Sequence, residues 1–266
     1  MGALNDTLQD LRKKKRKALA IFITAGDPSP RATPDLVAAA VDAGADIIEL
    51  GVPFSDPLAD GPVIQRSFMR AIGKGTSLTK TIEVAARVHE RVEVPLVFMI
   101  ASTLVVNHGV QKFMRQSAQA GVSGVILPDV PPEEAEEFVP PARGAGLDTV
   151  FLAAPTSTPE RLRRIAELSS GFVYYINVRG VTGGPQATAN EVAAGVARMR
   201  RMTRLPVLAG FGVKTPEQAR ALCAVADGVI IGSRAIEVID AERSAMGAAR
   251  ALGRYVRSIR RAMDGR

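Results

Sequence analysis

Three carboxylates stand close together in an otherwise apolar and proline-rich stretch, Glu49-Leu50-Gly51-Val52-Pro53-Phe54-Ser55-Asp56-Pro57-Leu58-Ala59-Asp60-Gly61-Pro62. Ile47-Ile48 leads into it as a short buried strand, and Glu49 ends that run with an acid where burial should be deepest. Pro53, Pro57 and Gly61 stiffen the following loop and bar it from continuing as strand or helix. Asp56 and Asp60 are presented on that loop, just before Pro62, a favourable first residue for a new helix. A carboxylate at a strand end and a second on the next loop can work as a general acid/base pair. The same spacing also fits a salt-bridged Glu49 and an Asp60 that only caps the helix.

Positioning such a pair takes a scaffold of strands. Apolar runs of strand length recur at 19–25, 46–50, 95–100, 124–127, 149–152, 171–177, 206–209 and 228–232. None alternates, as expected of strands buried on both faces. Helical patterns separate them: Pro34 to Ala43 after Thr33 as cap, Asn107 to Ala120, Pro132 to Arg143, and starts at Thr158-Pro159-Glu160 and Thr215-Pro216-Glu217. The segment from Pro62 to Glu90 is too long for one crossover and should hold two helices split at Gly73-Lys74-Gly75-Thr76-Ser77. Eight strands alternating with helices predict a single-domain (β/α)8 TIM barrel over residues 1–266, with an extra N-terminal helix and a split helix after strand two. A doubly wound sheet is the rival architecture. In a barrel the working residues sit at the C-terminal strand ends, which places Glu49, Asp60, Asp129, Tyr175 and Thr182 on one rim.

Ala209-Gly210-Phe211-Gly212-Val213 and Ile231-Gly232-Ser233 follow the last two strands. Glycines there let backbone N–H groups approach an anion, and Ser233 adds a hydroxyl at a helix start. With Gly180-Val181-Thr182-Gly183 they make three backbone-rich loops on adjacent strands, a phosphate site in barrel geometry. Read alone, these glycines would only permit tight turns.

Composition bounds the rest. The 266 residues are 47% hydrophobic and 23% charged, an ordinary globular balance. A single cysteine, Cys223, forbids an internal disulfide, and no apolar stretch nears the roughly 20 residues of a membrane span. A cytoplasmic chain is expected. The net charge of +7 concentrates at Arg12-Lys13-Lys14-Lys15-Arg16-Lys17 and at Arg250, Arg254, Arg257 and Arg261. Leu252, Val256, Ile259 and Met263 form the opposite, apolar face of that last helix, so both clusters read as solvated faces of terminal helices rather than a polyanion surface. With 5% aromatics and no Trp, single-strand nucleic-acid stacking is not expected. His89 and His108 lie on helical stretches, and no metal-ligand cluster appears.

The stretch from Glu49 to Pro62 resembles the signature of the tryptophan synthase α subunit family, whose members cleave indole-3-glycerol phosphate to indole and glyceraldehyde 3-phosphate. The resemblance extends through Phe22-Ile23-Thr24-Ala25-Gly26-Asp27-Pro28, Leu127-Pro128-Asp129-Val130-Pro131, Phe172-Val173-Tyr174-Tyr175, Gly180-Val181-Thr182-Gly183, Gly210-Phe211-Gly212-Val213 and Gly232-Ser233, or roughly residues 8 to 262. It implies a cofactor-free lyase of tryptophan biosynthesis. Glu49 would be the acid/base at the glycerol-bearing indole carbon, and Asp60 the acceptor of the indole N–H proton. Thr182 and Gly183 would belong to a lid loop, and Gly183, Gly212, Gly232 and Ser233 would hold the phosphate. Phe22, Leu127, Tyr175 and Ala101 would wall the indole. A β subunit, if bound in the αββα manner, would touch Pro53, Phe54, Asp56 and Pro57.

Two segments depart from the family: the lid, which reads Asn177-Val178-Arg179 where Ser-Arg-Thr or similar is common, and the stretch after strand three. Where a Thr-Tyr-Tyr-Asn-Pro type sequence is usual after strand three, this chain reads Met99-Ile100-Ala101-Ser102-Thr103-Leu104. A wall aromatic is replaced near Ala101, and Thr103-Leu104 stands where an Asn-Pro contacts the β subunit. The departure leaves open a free-standing lyase of a specialised pathway, or an aldolase-type lyase on a related phosphorylated substrate. A non-catalytic binding protein on the same scaffold is the third reading, and retention of both Glu49 and Asp60 argues against it.

Overall fold

The computed structural model describes residues 2–57, 60–176, 189–210 and 212–265. Among the described residues nine parallel strands run β1 (Ala18–Thr24), β2 (Ile47–Gly51), β3 (Leu96–Met99), β4 (Val122–Ile126), β5 (Asp148–Val150), β6 (Leu152–Ala153), β7 (Val173–Ile176), β8 (Val207–Gly210) and β9 (Gly228–Ile231). They pair in the order β5-β4-β3-β2-β1-β9-β8-β7-β6. The two ends of that order, β5 and β6, are halves of one run interrupted at Phe151, so the sheet curls into a nearly closed (β/α)8 TIM barrel. The interruption has a local cause. The Phe151 N–H leaves the ladder and donates to Ser169 Oγ at 3.3 Å, while its carbonyl still accepts from Tyr174 N at 3.1 Å. The fifth predicted strand is therefore real but split.

Alternation along each strand sorts side chains into two cores. Ala18, Ala20, Ile47, Val97, Ile126, Val150, Tyr174, Leu208 and Ile230 point into the barrel. Leu19, Ile21, Ile23, Ile48, Leu50, Val173 and Tyr175 pack with the helix layer. Both faces are apolar, which is why hydropathy alone showed no alternation.

The helices before the mouth are α1 (Ala3–Lys13), α2 (Thr33–Asp42), α3 (Pro62–Gly73) and α4 (Leu78–His89). Helix α1 plugs the N-terminal end of the barrel: Leu4, Leu8 and Leu11 join the interior core, each such burial stabilising by about 1.5–3 kcal/mol. Asn5 anchors it by donating to Asp148 at 3.1 Å. The split between α3 and α4 falls as predicted, with Ser77 capping Lys80 N. Thr33, predicted as a cap, instead lies within α2, and its hydroxyl accepts from Gly26 N at 3.0 Å.

Beyond β3 come α5 (Ser102–His108), α6 (Val110–Gln119), a 3-10 turn over Pro132–Glu137, α7 (Val139–Gly144) and α8 (Pro159–Leu168). The predicted helix over 107–120 is two helices, because Gly109 at φ 90° turns the chain between them. The remaining helices are α9 (Ala189–Arg200), α10 (Pro216–Cys223), α11 (Ser233–Asp240) and α12 (Ala245–Met263). Thr158 caps α8, and Thr215 with Gln218 closes a full capping box on α10. Helix α12 buries Leu252, Val256 and Ile259 while Arg250, Arg254, Arg257 and Arg261 face solvent. Among the described residues no helix is long and apolar enough to cross a membrane.

Candidate active site

Glu49 lies across from Phe22 on β1 and Val97 on β3, on the inward face of the barrel near its C-terminal mouth. Only 1% of it is exposed. Among the described residues its Oε1 has no hydrogen-bond partner. Ionising a carboxyl in such a place is opposed by lost hydration, and burial raises its pKa to about 8. At neutral pH Glu49 is therefore mostly a carboxylic acid, able to give a proton. The alternative of a salt-bridged Glu49 is not what the structure holds, since no ion pair reaches it among the described residues.

Asp60 is half-buried in the loop before α3. Burial first, and the charge of Asp129 second, raise its pKa to about 6. Asp60 is thus an ionised carboxylate at neutral pH but a better base than a surface aspartate. Nor does its side chain cap α3, whose N-cap is Gly61. Asp129 in turn accepts from Ser102 N and Ser102 Oγ, both at 2.9 Å, and so holds the first turn of α5. The divergent Ser102 is thereby tied to the carboxylate that tunes Asp60.

Tyr174, on the inward face of β7, lies within electrostatic reach of both acids. Burial pushes its phenol well above the ordinary range, and both Glu49 and Asp60 add to that rise. Its ring lies over Gly210, where a Cβ would fall 2.4 Å from the ring edge. A glycine at that point of β8 is what leaves room for the tyrosine.

The predicted wall residues divide. Phe22 projects into the mouth beside Gly51, where a Cβ would meet the ring at 2.3 Å. Ala101 lines a cavity of about 90 Å³ with Phe54, Phe68, Met99, Asp60 and Asp129. Tyr175 does not face the barrel: it points into the helix layer, its hydroxyl occupying the space left by Gly195 on α9. The inward tyrosine is its neighbour Tyr174. Leu127 likewise packs with the outer core, and Ile126 is the inward residue of β4. In both cases the expected position is off by one, and in a strand one residue reverses the face.

Gly232 caps α11 and Ser233 is its first residue, so the N-terminus of that helix opens at the end of β9. A Cβ on Gly232 would lie 3.7 Å from Phe22 Cβ, which puts this terminus beside the wall of the mouth. Gly212, at φ 70°, follows β8 on the adjacent strand end. Free N–H groups at such a helix start favour an anion. Thr182 and Gly183 lie outside the described residues. Of the expected partner contacts, Phe54, Asp56 and Pro57 surround the mouth cavity, whereas Pro53 is buried and offers no surface. Among the described residues no His, Cys, Asp and Glu side chains cluster as a metal site.

Known proteins resemble this chain in sequence and in fold. The family model described as tryptophan synthase alpha chain matches residues 8–263. The tryptophan synthase alpha chain of Geobacter sulfurreducens is 43% identical over 263 residues, covering 99% of each chain. That of Geotalea daltonii is 47% identical over 233 residues, 88% of each chain. Among solved structures, tryptophan synthase subunit alpha from Legionella pneumophila superposes with a TM-score of 0.92 at 34% identity over 100% of both chains. The aminoacrylate-bound tryptophan synthase from M. tuberculosis gives 0.86 at 31% identity, covering 97% of this chain and 100% of that one.

Proposed function

The chain belongs to the tryptophan synthase alpha chain family, and on that premise we propose that Glu49 and Asp60 are the acid/base pair with which it cleaves indole-3-glycerol phosphate to indole and glyceraldehyde 3-phosphate. The observation that supports this assignment is the presence at one barrel mouth of a neutral, buried carboxyl and an ionised, half-buried one, both within electrostatic reach of Tyr174. Two carboxyls held at different pKa values can run opposite proton transfers at one pH.

In the first step the Glu49 acid protonates the indole carbon that bears the glycerol chain, and the Asp60 carboxylate takes the ring N–H proton. The indole becomes its indolenine tautomer, whose C=N bond can accept an electron pair. Glu49, now a carboxylate in an apolar setting, removes the proton of the adjacent glycerol hydroxyl. The C–C bond breaks, its electron pair enters the ring, and Asp60 returns the proton to nitrogen. Indole and an aldehyde result, and both carboxyls regain their starting states. Phe22, Tyr174, Ile126, Met99 and Ala101 would hold the ring, and Gly212, Gly232 and Ser233 the phosphate. Thr182 and Gly183 would close over the mouth and exclude water.

Tryptophan synthase alpha chains normally pair with β subunits. For this chain we assign the β-facing surface to Phe54, Asp56 and Pro57, and the cytoplasm as its place of action. A titration of purified chain with a β subunit, read as the rate of indole release, tests the pairing: a saturable rise supports it and a flat response opposes it.

A further inference from the structure

A cavity of about 310 Å³ opens at the opposite, N-terminal end of the barrel. Leu8 and Leu11 of the plug helix α1, Ala18 at the start of β1, and Leu205 and Pro206 just before β8 form its apolar floor. Four arginines, Arg12, Arg16, Arg200 and Arg204, stand around it. The carboxylate on this wall, Asp227, is already engaged: it accepts from Arg200 at 2.7 Å and from Val207 N at 2.9 Å. Arg16 pairs with Asp46 at 3.4 Å. Arg12 and Arg204 make no ion pair or side-chain hydrogen bond with any described residue.

The cavity therefore combines an apolar floor with a surplus of two uncommitted guanidinium groups, in a chain whose net charge is already +7. A planar guanidinium offers paired donors that match a carboxylate, sulfonate or phosphate. An inorganic anion would leave the floor uncovered, and a neutral ring would leave the arginines without partners. The volume is in the range of small-molecule sites. We propose that this basal cavity is a binding site for a small amphipathic organic anion, an aromatic acid whose ring rests on Leu8, Leu11 and Leu205 and whose acid group meets Arg12 and Arg204. It lies across the barrel from Glu49 and stands independently of the catalytic assignment.

The probe is 1-anilinonaphthalene-8-sulfonate, followed by its fluorescence in the full chain, which contains no Trp to complicate the signal. One bound probe is expected, displaced by 1-naphthoate but not by equal concentrations of indole or inorganic phosphate. The double variant R12A/R204A should bind about tenfold more weakly, the loss of two solvent-screened charge-assisted contacts. Arg204→Glu, a single change at an exposed position, should weaken it further. Glycerol 3-phosphate, which resembles the polar half of the mouth ligand, should leave the probe in place. Absent binding, unchanged affinity in both variants, equal displacement by indole, or displacement by glycerol 3-phosphate would each overturn the proposal.

Discussion

Proton transfer at the barrel mouth turns first on one carboxyl. Glu49 is held neutral by burial, with a pKa near 8 against 4.5 for the free side chain. The folded state thus keeps a proton that the unfolded chain releases above about pH 4.5. The stability due to that proton is full at low pH and is lost as pH rises through the folded pKa, by up to about 1.4 kcal/mol per pH unit between the two values. Glu49→Gln removes this loss. Urea unfolding at pH 6 and pH 8.5 should show the variant gaining on the parent protein at the higher pH; parallel curves would contradict the buried, unpaired acid. Activity should follow a bell, its acid limb near 6 from Asp60 and its alkaline limb near 8 from Glu49. Asp60→Asn should abolish the acid limb of kcat/KM along with most of the rate. Tyr174 and Tyr175 make a sharper contrast. Tyr174→Ala should raise KM severalfold, while Tyr175→Phe should change kcat/KM by less than about twofold, since its ring lies outside the barrel. Reversal of that order would place the wrong tyrosine in the mouth. The acids were legible in the sequence because a charge in an apolar run stands out. The tyrosines were not: in a strand apolar on both faces, nothing in Phe172-Val173-Tyr174-Tyr175-Ile176 marks which residues point inward.

Elements were legible where punctuation was strong. Thr158-Pro159 and Thr215-Pro216 start helices as their capping chemistry requires, and the glycines between α3 and α4 split that crossover. Breaks without such marks escaped: apolar periodicity ran on through Gly109, and the exit of Phe151 from its ladder depends on Ser169, a partner distant in sequence. Glycine substitutions test the packing of these elements. A Cβ on Gly228 would sit 2.4 Å from the Ala18 carbonyl, a backbone atom that cannot swing aside, so Gly228→Ala should destabilise by about 1–3 kcal/mol. Gly144, last in α7 with no atom within 4 Å of its added Cβ, should accept alanine with a gain of about 0.4–1 kcal/mol. Thermal unfolding of both variants gives the comparison, and equal effects would contradict the packing described.

At the scale of the molecule the last helix is fastened to the start of the first strand. The basic pattern of α12 predicts a solvated face, and Arg250, Arg254, Arg257 and Arg261 are exposed. Arg260 is different: it is 5% exposed, and its guanidinium meets Asp46 at 3.1 Å, Asp264 at 2.8 Å and the Lys17 carbonyl at 3.0 Å. It clamps α12 to the start of β1 and to the turn before β2. A lone arginine one step off a basic stripe gave no sign of this in the sequence, because its acid partner Asp46 is 214 residues away. Arg260→Met should lower stability by about 3–5 kcal/mol in denaturant titration, the usual penalty for leaving a buried acid short of its partner. Loss below about 1 kcal/mol would contradict the clamp.

On the proposed mechanism this barrel breaks a carbon–carbon bond with Glu49 as the proton carrier. The most direct test is indole release from indole-3-glycerol phosphate, measured with the purified parent chain and with Glu49→Gln side by side. The parent should form indole and glyceraldehyde 3-phosphate in equal amounts. The variant should retain its fold and be slower by about 10²–10⁴-fold in kcat. Absence of indole from the parent chain, or equal rates in the two proteins, would contradict it.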